Sequence, residues 1–100
     1  MRLRILPSAV GDLERGRRFY GRRGRELGDY FLDSFFSDID ALALYAGVHV
    51  KVWGFHRMLS RRFPFAIYYR VEGDDCTVWR ILDCRRDPST LRQALRTAGA

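Results

Sequence analysis

Hydrophobic positions in the first half of the chain recur at the three- and four-residue steps of a helix. One run follows Ser8, which can cap a helix that begins near Ala9, and its spaced positions are Val10, Leu13, Arg17 and Tyr20. The opposite face of this helix carries Arg15, Arg18 and Arg22. A short link around Gly24 precedes the next helical run, so the two helices are predicted to fold back on each other as an antiparallel hairpin.

The second helical run is the longer one and is predicted to end at Gly47. Its apolar stripe consists of Leu27, Phe31, Phe35, Ile39, Leu42 and Ala46. Gly28 interrupts the start of this helix at a cost of about 1 kcal/mol relative to alanine, so the start of the helix can shift by one turn.

Strand-like alternation replaces the helical spacing in the second half. Residues Phe65 to Glu72 and Thr77 to Cys84 are rich in β-branched and aromatic residues, and Gly73-Asp74-Asp75 between them predicts a hairpin turn. Phe55 to Ser60 can form a third strand, whereas Val48 to Gly54 is compatible with either a loop or a short strand.

The two ends of the chain complete the predicted order of elements. Arg2 to Leu6 alternates charged and apolar residues as a strand does, and a short helix from Ser89 carries Leu91 and Leu95 at four-residue spacing. The predicted fold is α+β: an N-terminal strand, an antiparallel helical hairpin, a three-stranded antiparallel sheet and a short C-terminal helix. We expect residues 1–100 to form a single domain.

Composition narrows the class of protein. Hydrophobic residues make up 47% of the chain and aromatic residues 14%, which argues against disorder. No apolar run approaches the roughly 20 residues that a membrane span needs, and no signal-peptide core follows Met1. The sequence therefore predicts a cytoplasmic protein that does not interact with membranes.

The cysteines and histidines of the chain do not form a recognisable catalytic or metal-binding motif. Cys76 and Cys84 lie too far apart on one predicted strand for a disulfide, so reduced thiols are expected. His49 and His56 have no acidic neighbour that would orient them for hydrolysis, and no cluster has the spacing of metal ligands. Neither a metal nor another cofactor is expected.

Arginine dominates the charge of the chain. Lysine and arginine total 18 residues and acidic residues total 12, which gives a net charge of +6, and Lys51 is the only lysine. Arginine binds phosphate and carboxylate groups through two parallel hydrogen bonds, although a GC-rich genome would also enrich it. Seven arginines adjoin the predicted strands and are expected to converge on one sheet: Arg57, Arg61, Arg62, Arg70, Arg80, Arg85 and Arg86.

The two-residue period of a strand assigns side chains to the faces of the sheet. If Ile67 and Tyr69, with Phe65 and Val71, face the helices, then Tyr68 and Arg70 lie on the open face. Such a face would suit a phosphate backbone with stacked bases. The alternative is that Arg70 pairs with Glu72 across the sheet and that the tyrosines pack at its edge.

The segment Arg61 to Pro88, RRFPFAIYYRVEGDDCTVWRILDCRRDP, resembles the C-terminal half of toxins of the RelE/ParE superfamily. It has their basic segment, the FPF motif, a strand ending in YRV, an acidic turn and a strand ending in RRDP. Asp12-Leu13 and Tyr30-Phe31-Leu32 are similar to the family's helical hairpin. The resemblance implies the toxin of a type II toxin–antitoxin system, with a cognate acidic antitoxin as partner.

The resemblance leaves two targets open. RelE-like members cleave mRNA in the ribosome, whereas ParE-like members, including plasmid stabilisation proteins, poison DNA gyrase. The sequence has no tyrosine or histidine after Trp79, where nucleases of the family carry one, and Asp83 occupies a position that is often histidine. We expect Asp83 to pair with Arg85 and Arg86 instead.

A ParE-like gyrase inhibitor is therefore the leading hypothesis, with target or phosphate contacts at Arg61, Arg62, Arg85 and Arg86. The alternative is a ribosome-dependent endoribonuclease in which Tyr68 or His56 supplies the missing acid–base group and the phosphates are held by Arg57, Arg61, Arg70 and Arg85. A third possibility is a non-toxic module that only binds a partner. Whether the protein is an enzyme depends on this choice.

Overall fold

The computed structural model describes residues 1–97. Its elements are β1 (Arg2–Ile5), α1 (Pro7–Gly21), α2 (Arg25–Tyr45), β2 (Lys51–Val52), β3 (Phe55–Leu59), β4 (Phe65–Glu72), β5 (Asp75–Asp83) and α3 (Pro88–Thr97). The α+β class and the order of helices and strands agree with the prediction. Within residues 1–97, no helix is both long enough and apolar enough to cross a membrane.

The sheet has five strands, in the order β1-β5-β4-β3-β2, so the prediction of three strands was wrong. The N-terminal strand β1 joins the sheet by pairing parallel with β5, which makes the sheet mixed rather than antiparallel. The ambiguous segment before β3 contains the two-residue strand β2. Trp53 and Gly54 join β2 to β3 with φ angles of 54° and 84°, the positive values that a tight type I′ hairpin turn requires at both central residues.

Helix α1 begins at Pro7, a residue preorganised for the first helical position, rather than near Ala9. The Ser8 hydroxyl does not cap the helix but donates to the carbonyl of Trp79. The predicted apolar stripe of this helix was partly wrong, because Val10 and Arg17 are exposed. Its buried residues are Ala9, Asp12, Leu13, Gly16 and Tyr20.

The main core lies between the helical hairpin and one face of the sheet. The predicted stripe of α2 is confirmed, since Phe31, Phe35, Ile39 and Leu42 are buried and Leu27 and Ala46 pack against them. The predicted inward face of β4 is confirmed as well, with Phe65, Ile67, Tyr69 and Val71 in the same cluster. Tyr20, Phe31 and Phe63 form an aromatic group at its centre.

The opposite face of the sheet is covered by α3. Leu91 and Leu95, the predicted apolar pair of this helix, pack on Ala66 and Leu82. Tyr68 lies beneath them and is 0% exposed, so its predicted place on an open face was wrong. The strand period placed Tyr68 on the correct face, but that face is closed by a helix that follows 20 residues later in the chain.

Candidate functional site

The β3–β4 turn and the end of β5 lie side by side at one end of the sheet. Phe65 pairs with Asp83, and the backbone N–H of Cys84 donates to the Pro64 carbonyl at 2.8 Å. This pairing brings together four exposed arginines that the sequence had predicted as target contacts: Arg61, Arg62, Arg85 and Arg86.

Asp83 and Arg85 form a bidentate ion pair at this end. The Arg85 Nη2 and Nε atoms donate to the two oxygens of Asp83 at 2.7 and 3.0 Å. The hydrogen bond from Arg85 lowers the pKa of the Asp83 carboxyl, and the charge of Arg86 adds a smaller effect. The expected pairing of Asp83 is thus confirmed for Arg85, which makes this aspartate a partner of a cation rather than a proton donor.

The other two arginines lie against α2. The Arg62 guanidinium is 5.5 Å from the ring centroid of Tyr30, within range of a cation–π contact. Burial raises the pKa of the nearby Asp38 carboxyl, and the charges of Arg62 and Arg61 oppose that rise. Arg61 and Arg62 therefore lie close to the outer surface of the helical hairpin.

A cleft of about 360 Å³ between α1 and the end of β5 extends the positive surface. Arg15, Arg18 and Arg22 line it together with Arg86 and the ring of Phe19. Arg15 is paired with Asp12, whereas Arg18 and Arg22 take part in none of the ion pairs within residues 1–97. We refer to six side chains as the basic end: Arg18, Arg22, Arg61, Arg62, Arg85 and Arg86.

Arg80 also lines this cleft, but its guanidinium is held by other residues of the protein and is not counted in the basic end. Its Nε and Nη2 atoms donate to the two carboxylate oxygens of Asp12 at 2.7 and 2.8 Å, and its Nη1 atom donates to the Ala94 carbonyl at 3.0 Å. The hydrogen bond that Arg80 donates to Asp12 raises the pKa of Arg80. The side chain of Arg80 is 15% exposed, so the guanidinium joins α1, β5 and α3 instead of facing a ligand.

Arg57 and Arg70 also lie apart from the basic end, so the seven arginines do not converge on one surface. Arg57 is opposite Tyr68 across β3 and β4. Arg70 lies 4.1 Å from the ring centroid of Phe55 and 4.8 Å from that of Trp79, contacts that replace the alternative pairing with Glu72. Burial raises the pKa of the Tyr68 phenol. Within residues 1–97, the Tyr68 hydroxyl has no hydrogen-bond partner.

His56 lies on the other face of the sheet, where its ring stacks on Tyr69 at 5.1 Å between centroids. Its Nδ1 atom is 2.6 Å from the His49 carbonyl, and the Nδ1 atom of His49 is 2.5 Å from the Tyr69 hydroxyl. Because the sheet separates His56 from the buried Tyr68, these two side chains cannot act on one substrate atom. The two candidate acid–base groups for RNA cleavage therefore lie on opposite faces of the sheet. Among residues 1–97, no three His, Cys, Asp or Glu side chains are grouped to hold a metal ion.

Comparison with known proteins points to one family. The profile of the family described as "ParE toxin of type II toxin-antitoxin system, parDE" matches residues 3–88. A solved structure described as "Chromosomal ParDE TA system from P. aeruginosa" is similar to the chain with a TM-score of 0.74 and 24% sequence identity, over 81% of this chain and 92% of the other. No curated protein sequence matches the chain significantly.

Proposed function

Since this chain belongs to the ParE toxin family of type II toxin–antitoxin systems, we propose that it inhibits growth by binding DNA gyrase through its basic end. The observation that carries the proposal is the grouping of six arginines from three separate parts of the chain. Of the four ion pairs within residues 1–97, only Arg85–Asp83 involves the basic end. The other guanidiniums remain available for carboxylates of a protein target or phosphates of its DNA.

The arrangement supports a binding poison over an RNA-cleaving enzyme. Acid–base cleavage needs a proton acceptor and a proton donor within reach of the same phosphodiester. Tyr68 is buried beneath α3, His56 lies across the sheet, and Asp83 is held by Arg85. Binding requires only an exposed surface of suitable charge, which the basic end provides.

We further propose that a cognate acidic antitoxin neutralises the toxin. A net charge of +6 would accelerate association with an acidic partner. The helical hairpin also exposes large apolar side chains that an amphipathic helix could cover, namely Val10, Phe19, Tyr30, Phe36, Leu44 and Tyr45.

The test is a gyrase supercoiling assay with purified toxin that has been separated from its antitoxin. Stoichiometric toxin should inhibit supercoiling, and Arg62→Glu combined with Arg86→Glu should abolish inhibition because two cations of the basic end become anions. The matched control is Arg4→Glu combined with Lys51→Glu, two exposed cations on β1 and β2. Unchanged supercoiling at an excess of wild-type toxin would overturn the proposal, and equal losses in both double variants would remove the basic end from it.

A further inference from the structure

Both tryptophans of the chain line one pocket between α3 and the sheet. The pocket measures about 350 Å³, at the small end of the roughly 300–1,000 Å³ range of ligand sites. Trp53, Phe55 and Trp79 supply aromatic surface. Three arginines, Arg70, Arg92 and Arg96, supply positive charge, and none of the lining residues is acidic.

Trp53 occupies a position whose backbone does not favour it. It is the only residue other than glycine with a positive φ in the described part of the chain, and asparagine or glycine is the usual choice in such a turn. Its side chain is nevertheless 39% exposed at the pocket. The Arg92 guanidinium lies 5.9 Å from the indole centroid. The turn itself does not require a large aromatic residue, and the ring of Trp53 is also stacked with that of Tyr68 at 6.5 Å between centroids.

Arg70 and Trp79 form the inner wall of the pocket. The Arg70 guanidinium lies over both Phe55 and Trp79, which fixes its plane. The indole N–H of Trp79 is buried and has no hydrogen-bond partner within residues 1–97. A desolvated, unpaired donor is unfavourable, and an acceptor atom of a ligand could satisfy it.

We infer that this pocket binds an unpaired nucleotide, whose base stacks on Trp53 and whose phosphate is bound by Arg92 and Arg96. Aromatic side chains stack any base, and arginine binds phosphate through paired hydrogen bonds. An acidic peptide would use the charge but not the aromatic surface of the pocket. The pocket shares no lining residue with the cleft of the basic end, so this inference is independent of the gyrase proposal.

Quenching of intrinsic fluorescence reports on this site, because both tryptophans of the chain line the pocket. The intact toxin is titrated with adenosine monophosphate and, separately, with a short single-stranded DNA oligonucleotide. We expect saturable quenching by at least one probe. Saturation by the mononucleotide identifies a free nucleotide as sufficient, whereas saturation by the oligonucleotide alone identifies an unpaired nucleotide within a strand.

Two variants test the contacts, with affinities measured by equilibrium dialysis. Asparagine tolerates the positive φ at position 53, so the Trp53→Asn variant should fold. Its affinity for the probe should fall roughly tenfold or more because stacking is lost. Arg92→Ala should also weaken binding about tenfold through loss of a charged hydrogen bond. Arg4→Ala removes the same charge from β1 and should leave the affinity unchanged. Absence of saturable binding to both probes, or wild-type affinity in both pocket variants, would overturn the inference.

Discussion

Asp12 is only 6% exposed, and its carboxylate accepts four hydrogen bonds. Two come from Arg80, one from Arg15 and one from the backbone N–H of Ile81. Because β1 ends at Ile5, the second half of β5 has no strand from residues 1–97 beside it at that edge. The Asp12 carboxylate accepts the hydrogen bond from the Ile81 N–H that a neighbouring strand would otherwise accept. This bond connects the first turns of α1 to the sheet.

Replacement of Asp12 by alanine should lower the free energy of unfolding by about 3–5 kcal/mol. The reason is that Arg80, with a side chain 15% exposed, would keep its charge without a partner. The control is Arg15→Ala, since the Arg15 side chain is 59% exposed and its pair should contribute about 1 kcal/mol or less. Urea unfolding measures both variants, and similar losses in the two would contradict the structural role of Asp12.

His49 should make stability depend on pH near neutrality. Burial, aided by the charge of His56, lowers the pKa of His49 from its usual 6.5. The Tyr69 oxygen accepts from the Gly47 N–H and lies 2.5 Å from His49 Nδ1 in a hydrogen bond whose direction depends on the tautomer of the ring. The unfolded chain therefore binds the proton more readily, and stability falls as the pH drops below about 6.5.

The measurement is urea unfolding at about pH 7.5 and pH 5.5, on either side of the usual histidine pKa. His49→Asn retains a hydrogen-bond donor and an acceptor for Tyr69 but cannot be protonated in this range. The variant should show a smaller loss of stability at the lower pH than the wild type. An identical loss would assign the pH dependence to other groups.

Residue roles that depend on neighbours along the chain could be predicted from the sequence, and those that depend on distant neighbours could not. Asp83 lies two residues from Arg85, so its pairing follows from the sequence alone. Arg80 was grouped with the other arginines because its partner, Asp12, is 68 residues away. In the structure, a register shift in β4–β5 adjoins Arg80, a local irregularity that the strand period does not reveal.

The two long helices approach closely because glycines lie at their interface. A Cβ atom on Gly16 of α1 would lie 2.2 Å from the Phe31 ring, and one on Gly28 of α2 would lie 2.7 Å from the Arg17 carbonyl. Gly28, which weakens the helix locally, thus permits close packing of the hairpin. The hairpin in turn carries Arg18 and Arg22 to the basic end.

Gly16→Ala should destabilise the protein by about 1–3 kcal/mol, because the added methyl group overlaps Phe31 and outweighs the higher helix propensity of alanine. Gly21→Ala provides a matched control in the same helix, since no atom lies within 4 Å of its added Cβ. That control should be neutral or stabilise by up to about 1 kcal/mol. Thermal or urea unfolding of the two variants decides, and a neutral Gly16→Ala would contradict the close packing of the helices.

At the level of elements, the strength of the local pattern determined what could be predicted. The β4–β5 hairpin combines clear alternation with a turn that contains Gly73, whose φ is 60°, and it was predicted within two residues at its ends. The strand β2 has two residues, too few for any period to appear. Pairing of β1 with β5 joins residues more than 70 positions apart, for which a single sequence gives no signal.

The whole molecule concentrates cations at one end although they come from distant parts of the chain. Arg61 and Arg62 precede β4 and Arg85 and Arg86 follow β5, and these two strands adjoin in the sheet. The four residues could therefore be grouped from the predicted hairpin. Arg18 and Arg22 were recognised as one face of a helix but not as part of this surface. Their assignment needed the position of α1 beside β5, which the parallel pairing of β1 establishes.

Brief induction of the toxin alone in cells, followed by extraction of RNA and plasmid within minutes, distinguishes gyrase poisoning from the alternatives. Binding to gyrase through the basic end predicts intact mRNA together with altered plasmid supercoiling or gyrase-linked breaks. The Arg62→Glu, Arg86→Glu variant should restore normal topology, whereas the Arg4→Glu, Lys51→Glu control should not. Codon-positioned cuts in mRNA with unchanged plasmid topology would contradict the proposal and identify a ribosome-dependent nuclease. Normal growth with neither change would also contradict it.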